Sequence, residues 1–163
     1  MKYPDTNLAD LDRLQAAYIH ALDSQDMARW LSLFSEDPAS SYICTTREHV
    51  KNSLPLALML DDCHARLEDR VTYITKIWAG TFQNYQTRHL TQRLHTTRIA
   101  DDLLEMTTSF VVYSTAEENG VAEILTTGEY QDVVRIEAGG YRFAHKKAIL
   151  DTSVLPRYIV YPI

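Results

Sequence analysis

Glycine is scarce in this chain, with 5 in 163 residues. A Gly-rich phosphate site needs several glycines in one loop ahead of a helix, so that backbone amides can close on the phosphate, and no such loop occurs. Cysteine is scarcer still: Cys44 and Cys63 are the only two. They cannot hold an iron–sulfur cluster, and both stand in apolar patterns where a free thiol behaves as a small hydrophobe, which suits a reducing compartment. Positive charge is in deficit, 16 Lys and Arg against 22 Asp and Glu, for a net charge of -6 and a pI near 5.4. Without a basic stripe the chain lacks the electrostatic footprint of a nucleic-acid binder. Long apolar runs are missing too. The longest, residues 54–60, contains Pro55 and falls well short of the ~20 residues that span a bilayer. Met1-Lys2-Tyr3-Pro4-Asp5 leads into a polar helix start without the apolar core of a signal peptide, so a cytoplasmic protein is expected. There is no Gly-x-Ser-x-Gly elbow and no cysteine in a nucleophile setting.

What is present is a change of period along the chain. Residues 8–22 place Leu8, Leu11, Leu14, Tyr18 and Leu22 three or four apart, behind the cap candidates Asp5, Thr6 and Asn7. Asp23-Ser24 offers a fresh cap for a second stripe of Met27, Trp30, Leu31 and Phe34, which Asp37-Pro38 ends. A short strand with Tyr42, Ile43 and Cys44 follows. After a polar turn over 47–53, the apolar run to Leu60 can pair back on that strand. Asp61-Asp62 caps a third helix, whose stripe of Cys63, Leu67, Val71, Ile74 and Trp78 predicts the most buried helix.

From about Tyr85 the pattern is that of strands. Residues 86–100, 103–115, 121–137 and 141–151 are rich in Thr, Val, Ile, Tyr and Phe, and each is longer than an average strand, so bends are expected. Asp101-Asp102, Glu118-Asn119-Gly120 and Gly139-Gly140 are turn signals suited to hairpins. Gly128 reads as a bulge or bend. The fold class is α+β: a strongly curved, mixed or antiparallel sheet packed on three N-terminal helices, all in one domain over 1–163. The apolar tail, 152–163, is expected to pack on that domain or on a partner.

Metal ligands do not converge in the sequence. His20, His49, His64, His89, His95 and His145 form no His-x-His or His-x-x-x-His pair. His89 and His95 share strand parity, but six residues at about 3.3 Å each set them roughly 20 Å apart. What remains is acid–base chemistry in a pocket, with Tyr18, Tyr42, His89, Asp132 and Asp151 as candidates. Each has a structural reading beside it. Tyr18 lies on a helix stripe, His89 and Asp132 fit a solvated face, and Asp151 stands where a strand-ending carboxylate caps a turn. No residue is therefore assigned a catalytic, cofactor-binding or metal-binding role. The run Arg66-Leu67-Glu68-Asp69-Arg70 reads as a solvated helix face with Leu67 turned inward, or as arginines set for pairing between subunits.

Taken together, Leu60-Asp61-Asp62, Leu67-Glu68-Asp69-Arg70-Val71, Trp78, Thr87-Arg88-His89-Leu90, Tyr141-Arg142-Phe143 and Ala148-Ile149-Leu150-Asp151 are familiar in order and spacing. With the total length, they resemble the small (beta) subunit of aromatic-ring-hydroxylating dioxygenases, the Rieske non-heme iron oxygenases. The resemblance covers most of the chain. It implies an NTF2-like, cystatin-like cone and an oxygenase alpha subunit as partner, commonly three of each, with the beta chains as a trimer. It also implies no cofactor in this chain, because the Rieske 2Fe-2S cluster and the mononuclear iron sit on alpha. Thr45-Thr46-Arg47 and the residues to Leu58 look closest to subunits acting on substituted benzoates. The function so implied is a non-catalytic structural one. A stand-alone NTF2-like dehydratase or isomerase, using Tyr, His and Asp in the cone, is the alternative that the same fold allows.

Overall fold

The computed structural model describes residues 6–163. Helix α1 (Leu8–Asp23) starts where the Asn7 side chain accepts a hydrogen bond from the Ala9 amide at 3.1 Å, a cap worth about 1 kcal/mol. Asp5, another cap candidate, lies outside the described residues. The buried face of α1 is Leu11, Leu14, Gln15, Tyr18, Ala21 and Leu22, while Leu8 stays exposed. Helix α2 (Met27–Leu31) is capped by Asp26, whose carboxylate accepts from the Arg29 amide at 2.9 Å. The expected cap, Asp23, instead ends α1 and turns its carboxylate to a strand. Trp30 and Phe34 are buried with ring centroids 4.9 Å apart, and Phe34 bridges to Phe143.

Strand β1 (Ser41–Thr46) runs into a short helix, α3 (Arg47–Lys51), where the sequence suggests a turn; Thr46 caps it by accepting from the His49 amide at 3.2 Å. Strand β2 (Met59–Asp61) pairs antiparallel with β1, Met59 opposite Cys44, so only the end of the apolar run returns to the strand. Leu54, Leu56 and Leu58 remain exposed.

Helix α4 (His64–Thr72) begins after Cys63 with no side-chain cap, because Asp61 pairs with Arg70 and Asp62 with Arg66. It continues as a π-helical turn, Tyr73–Ile77. The stripe buries Leu67 and Ile74, yet Tyr73, Ile77 and Trp78 are exposed. A turn bonded i to i+5 adds a residue to the winding and swings the next side chains off the line of the stripe. Among the described helices α1, not α4, buries the most residues, which corrects the sequence expectation.

The long strands β3 (Tyr85–Arg98), β4 (Leu103–Ala116), β5 (Ala122–Glu137) and β6 (Gly140–Leu150) form an antiparallel meander with its joints at the three turn signals. Gly120 and Gly140 have φ of 67° and 113°, where an L side chain is strained. On its other side β6 pairs in parallel with β1, Ser41 opposite His145, which gives a mixed six-stranded sheet in the order β2-β1-β6-β5-β4-β3.

Three register shifts bend this sheet, each carrying one extra residue: Leu94 on β3, Leu125 on β5 and Ala144 on β6. At two of them consecutive residues are both buried, Leu125 with Thr126 and Phe143 with Ala144, which strict alternation would forbid. Gly128 is not one of the bulges; it pairs with both Phe110 and Leu150. Glycine is needed there for another reason. A Cβ would lie 2.2 Å from the Ile149 carbonyl oxygen and 2.7 Å from the Phe110 ring.

Helices α1 and α2 fill the inner face of the sheet, where Leu11, Tyr18, Trp30, Tyr42, Phe110, Tyr130 and Phe143 belong to one core. Residues 151–163 join no strand or helix, yet Val160, Pro162 and Ile163 are buried. No helix among the described residues is long and apolar enough to cross a membrane.

Candidate functional site

The inner face of the cone carries charge. Lys146 follows Ala144 and precedes Ala148 and Leu150 at inward parity on β6, and its side chain is 0% exposed. Its ammonium donates to Asp132 Oδ2 at 2.7 Å and to Gln15 Oε1 at 3.0 Å. The rings of Tyr18, Tyr130 and Phe143 box it in, with centroids 4.2, 4.1 and 4.1 Å from Nζ. Burial pushes the Asp132 carboxyl up to about 6 against the pull of Lys146, and burial pushes Lys146 down to about 8 against the pull of Asp132. A lysine of this kind could serve as a base if substrate reached it, but neither side chain of the pair is exposed at all.

A second buried pair joins α1 to β3. Asp23 Oδ1 lies 2.6 Å from His89 Nδ1 and accepts from Thr87 Oγ1 at 2.9 Å, and Oδ2 accepts from the His89 amide at 3.1 Å. Burial raises the Asp23 pKa, but the bonds from His89 and Thr87 outweigh it and hold the carboxyl below its ordinary value. The contact sets Nδ1–H toward Asp23 and leaves Nε2 as the free ring position, buried and without a partner among the described residues. The solvated-face reading of His89 and Asp132 is thus overturned, since both point into the core.

The tyrosines of the cone end on the tail. The Tyr42 hydroxyl accepts from the Ile163 amide at 2.8 Å and donates to the Ile163 main-chain oxygen at 3.1 Å, and the Tyr18 hydroxyl donates to the same oxygen at 2.8 Å. Tyr85 accepts from the Val160 amide at 3.0 Å. Burial drives the hydroxyls of Tyr18, Tyr42 and Tyr130 well above the usual tyrosine range, so they stay protonated as donors.

The other candidates lie elsewhere. Asp151 is exposed, where it pairs with Arg47 and accepts from Thr127 Oγ1 at 2.7 Å, as a strand-ending carboxylate does. Arg66 faces Asp62 on the surface, as a solvated helix face requires. Arg70 does not: its Nε and Nη2 each lie 3.0 Å from the buried Asp61 carboxylate, pinning α4 to β2. Burial raises the Asp61 pKa in spite of that guanidinium. Cys44 is buried, its thiol pushed up to about 12 by burial, and Cys63 is half-buried.

Surface hollows do not gather the candidates. One of about 990 Å³ is lined by Glu36, Asp37, His64, Glu68, Glu137 and Arg142 among others, and one of about 440 Å³ by Ile43, His49, Leu54, Leu56 and Lys147 among others. Neither includes Tyr18, Tyr42, His89, Asp132 or Asp151, and a third hollow, of about 510 Å³, reaches Asp132 and Lys146 but none of the other four. Among the described residues no three His, Cys, Asp or Glu side chains come together as a set that could hold a metal ion.

Asp23, Gln15 and Lys146 escape the sequence reading. Lys146 had a signal, since it shares parity with Ala148 and Leu150 on an apolar strand face. Asp23 reads as a helix cap, and only the fold brings it to His89.

The family of ring hydroxylating beta subunits matches this chain over residues 18–157. The chain is 29% identical over 150 residues to the anthranilate 1,2-dioxygenase small subunit of Burkholderia cepacia, with 92% of this chain and 90% of that protein covered. Among solved structures it is similar to the beta subunit assigned to an aromatic-ring-hydroxylating dioxygenase of Novosphingobium aromaticivorans. The TM-score is 0.77, the identity 32%, and 88% of each chain is covered. The beta subunit of the benzoate 1,2-dioxygenase of Burkholderia mallei shares the fold at a TM-score of 0.75 and 15% identity, over 91% of this chain and 93% of that one. The fold is thus the NTF2-like, cystatin-like cone that the sequence resemblance implies.

Proposed function

The chain belongs to the ring hydroxylating beta subunit family, and from that premise we propose that it is the non-catalytic, structural subunit of a cytoplasmic aromatic-ring-hydroxylating dioxygenase. Its partner would be an alpha subunit carrying the Rieske cluster and the mononuclear iron, with three of each chain in the assembly and the beta chains as a trimer. Its work is to bury surface against alpha and against its own copies, which fixes their orientation and stabilises the assembled state by mass action. A substituted benzoate is the proposed substrate class of the whole enzyme, supported by the likeness to the anthranilate 1,2-dioxygenase small subunit.

One observation carries the structural reading: most groups in the cone that could move a proton are engaged with one another or with the chain itself, and the atoms left without a partner, His89 Nε2, the Tyr130 hydroxyl and Asp132 Oδ1, are buried. Lys146 is spent on Asp132 and Gln15, His89 Nδ1 on Asp23, and the hydroxyls of Tyr18 and Tyr42 on Ile163. A dehydratase or isomerase working in the cone would need at least two of them to converge on open space.

The test is reconstitution. The purified chain is mixed with its cognate alpha subunit and the reductase components, and both mass and oxidation of substituted benzoates are measured. The expected result is a complex of three alpha and three beta chains that turns over, with iron and acid-labile sulfide travelling with alpha. Turnover of substrate by this chain alone, or full assembly and activity of alpha without it, would overturn the proposal.

A further inference from the structure

Acids outnumber bases 22 to 16 in this chain, and Arg47, Arg66, Arg70, Arg93 and Arg135 each face an Asp. Arg29 and Arg142 face no carboxylate among the described residues; Arg142 gives one N–H to the Tyr141 carbonyl oxygen at 3.0 Å. These two arginines and Arg13 line one hollow of about 260 Å³ between α1, the end of α2 and the start of β6. We propose that this hollow binds a small organic carboxylate whose apolar part is about one ring in size. It includes neither Lys146 nor His89, and the inference does not rest on the structural role argued above.

The lining joins positive charge to apolar surface. Three guanidiniums stand against one carboxylate, Asp10, which already pairs with Arg13 a turn away on α1. That pair is exposed at both ends, so it is weak and open to exchange for the carboxylate of a ligand. A guanidinium presents parallel N–H donors that fit the two oxygens of a carboxylate. Leu14 and Leu33 are buried beneath, with Ala17 and the Tyr141 side chain half-buried beside them. Such a lining favours an anion with a hydrocarbon part over a bare ion. The volume lies below the roughly 300–1,000 Å³ of drug-sized sites, which limits that part to about one ring.

The three sides of the hollow are bonded to one another. The Phe143 amide donates to the Leu33 carbonyl oxygen at 2.9 Å and the Ser35 amide to the Phe143 carbonyl oxygen at 2.8 Å, which ties the chain after α2 to β6. The Asp26 amide donates to the Ala21 carbonyl oxygen at 2.8 Å, which ties α2 to α1. The Tyr141 hydroxyl accepts from the Asn7 amide at 3.2 Å, at the head of α1. A backbone fixed in this way lowers the ordering cost that binding must overcome.

The experiment follows the backbone amides of the full-length chain by NMR as sodium benzoate is added at constant ionic strength. Benzamide, which lacks the charge, acetate, which lacks the ring, and inorganic phosphate, which is charge alone, are the comparison probes. The expected result is saturable shifts at Arg13, Arg29, Gly140 and Arg142 with benzoate, and affinity about tenfold or more lower for each of the other three. Arg29→Gln and Arg142→Gln should each weaken benzoate binding about tenfold, the effect of losing one charge-assisted contact. Arg88→Gln, on β3 and outside the hollow, should leave it unchanged. If Arg142→Gln does not fold, Arg29→Gln decides alone. Shifts that scatter over the surface without saturating, a comparison probe that binds as well as benzoate, or a folded Arg29→Gln that binds benzoate like the wild type would each overturn the inference.

Discussion

Lys146 and Asp132 face each other across neighbouring strands at 2.7 Å, and neither side chain touches water. Removing one partner strands the other. Asp132→Asn leaves a buried ammonium with weaker company and should cost about 3–5 kcal/mol in urea denaturation. Replacing both, Asp132→Leu with Lys146→Met, removes the desolvation penalty with the attraction and should be neutral or stabilising by up to about 4 kcal/mol. A double variant as unstable as the single would show that the pair itself, and not the orphaned charge, holds the cone together.

Asp23 should make the fold acid-sensitive. Its carboxyl is held below the ordinary value of 3.8, so the stability it contributes is present above that value and disappears as pH falls through the lower folded value. Asp23→Asn should cost about 1.5–3 kcal/mol at neutral pH, the range for hydrogen bonds to a charged group, and the gap to the wild type should close below about pH 4. The pair Asp12 and Arg93 is another acid-sensitive contact, but it is common to both proteins and cancels in the comparison. Denaturation curves from pH 3 to 7 test this; a gap that stays constant across the range would remove Asp23 from the account.

Gly128→Ala should destabilise by about 1–3 kcal/mol or more, the cost of overpacking. The added methyl would meet backbone, the Ile149 carbonyl oxygen at 2.2 Å, which cannot rotate away as a side chain could. Thermal denaturation gives the number, and an unchanged melting point would mean that β5 and β6 can part without penalty.

Much of the architecture was legible because periodicity reports burial. The step from three- and four-residue spacing to alternation near Tyr85 marks where helices give way to sheet, and the hairpin joints fall at Asp101-Asp102, Asn119-Gly120 and Gly139-Gly140. The parts that were not legible turn on non-local bonds. Asp23 looks like a cap until His89 arrives from β3, and Asp61 looks like one until Arg70 turns back to it from the same helix. The exposure of Trp78 depends on a π-helical turn that leaves no mark on the spacing of Leu67, Val71 and Ile74. Of the candidate site, Tyr18 and Tyr42 were named from the chain, but their partner Ile163 lies 145 and 121 positions away.

Strand β1 waits longest for its neighbour. Ser41 meets His145 across 104 positions, and a ribosome adding about 5–20 residues per second takes roughly 5–20 seconds to cover that distance. For that interval the nascent chain carries β1 with one side unpaired, and docking of β6, the last strand made, closes the fold. Yield in a living cell is then governed by synthesis speed and by whatever shields that open edge from other unfinished polypeptides.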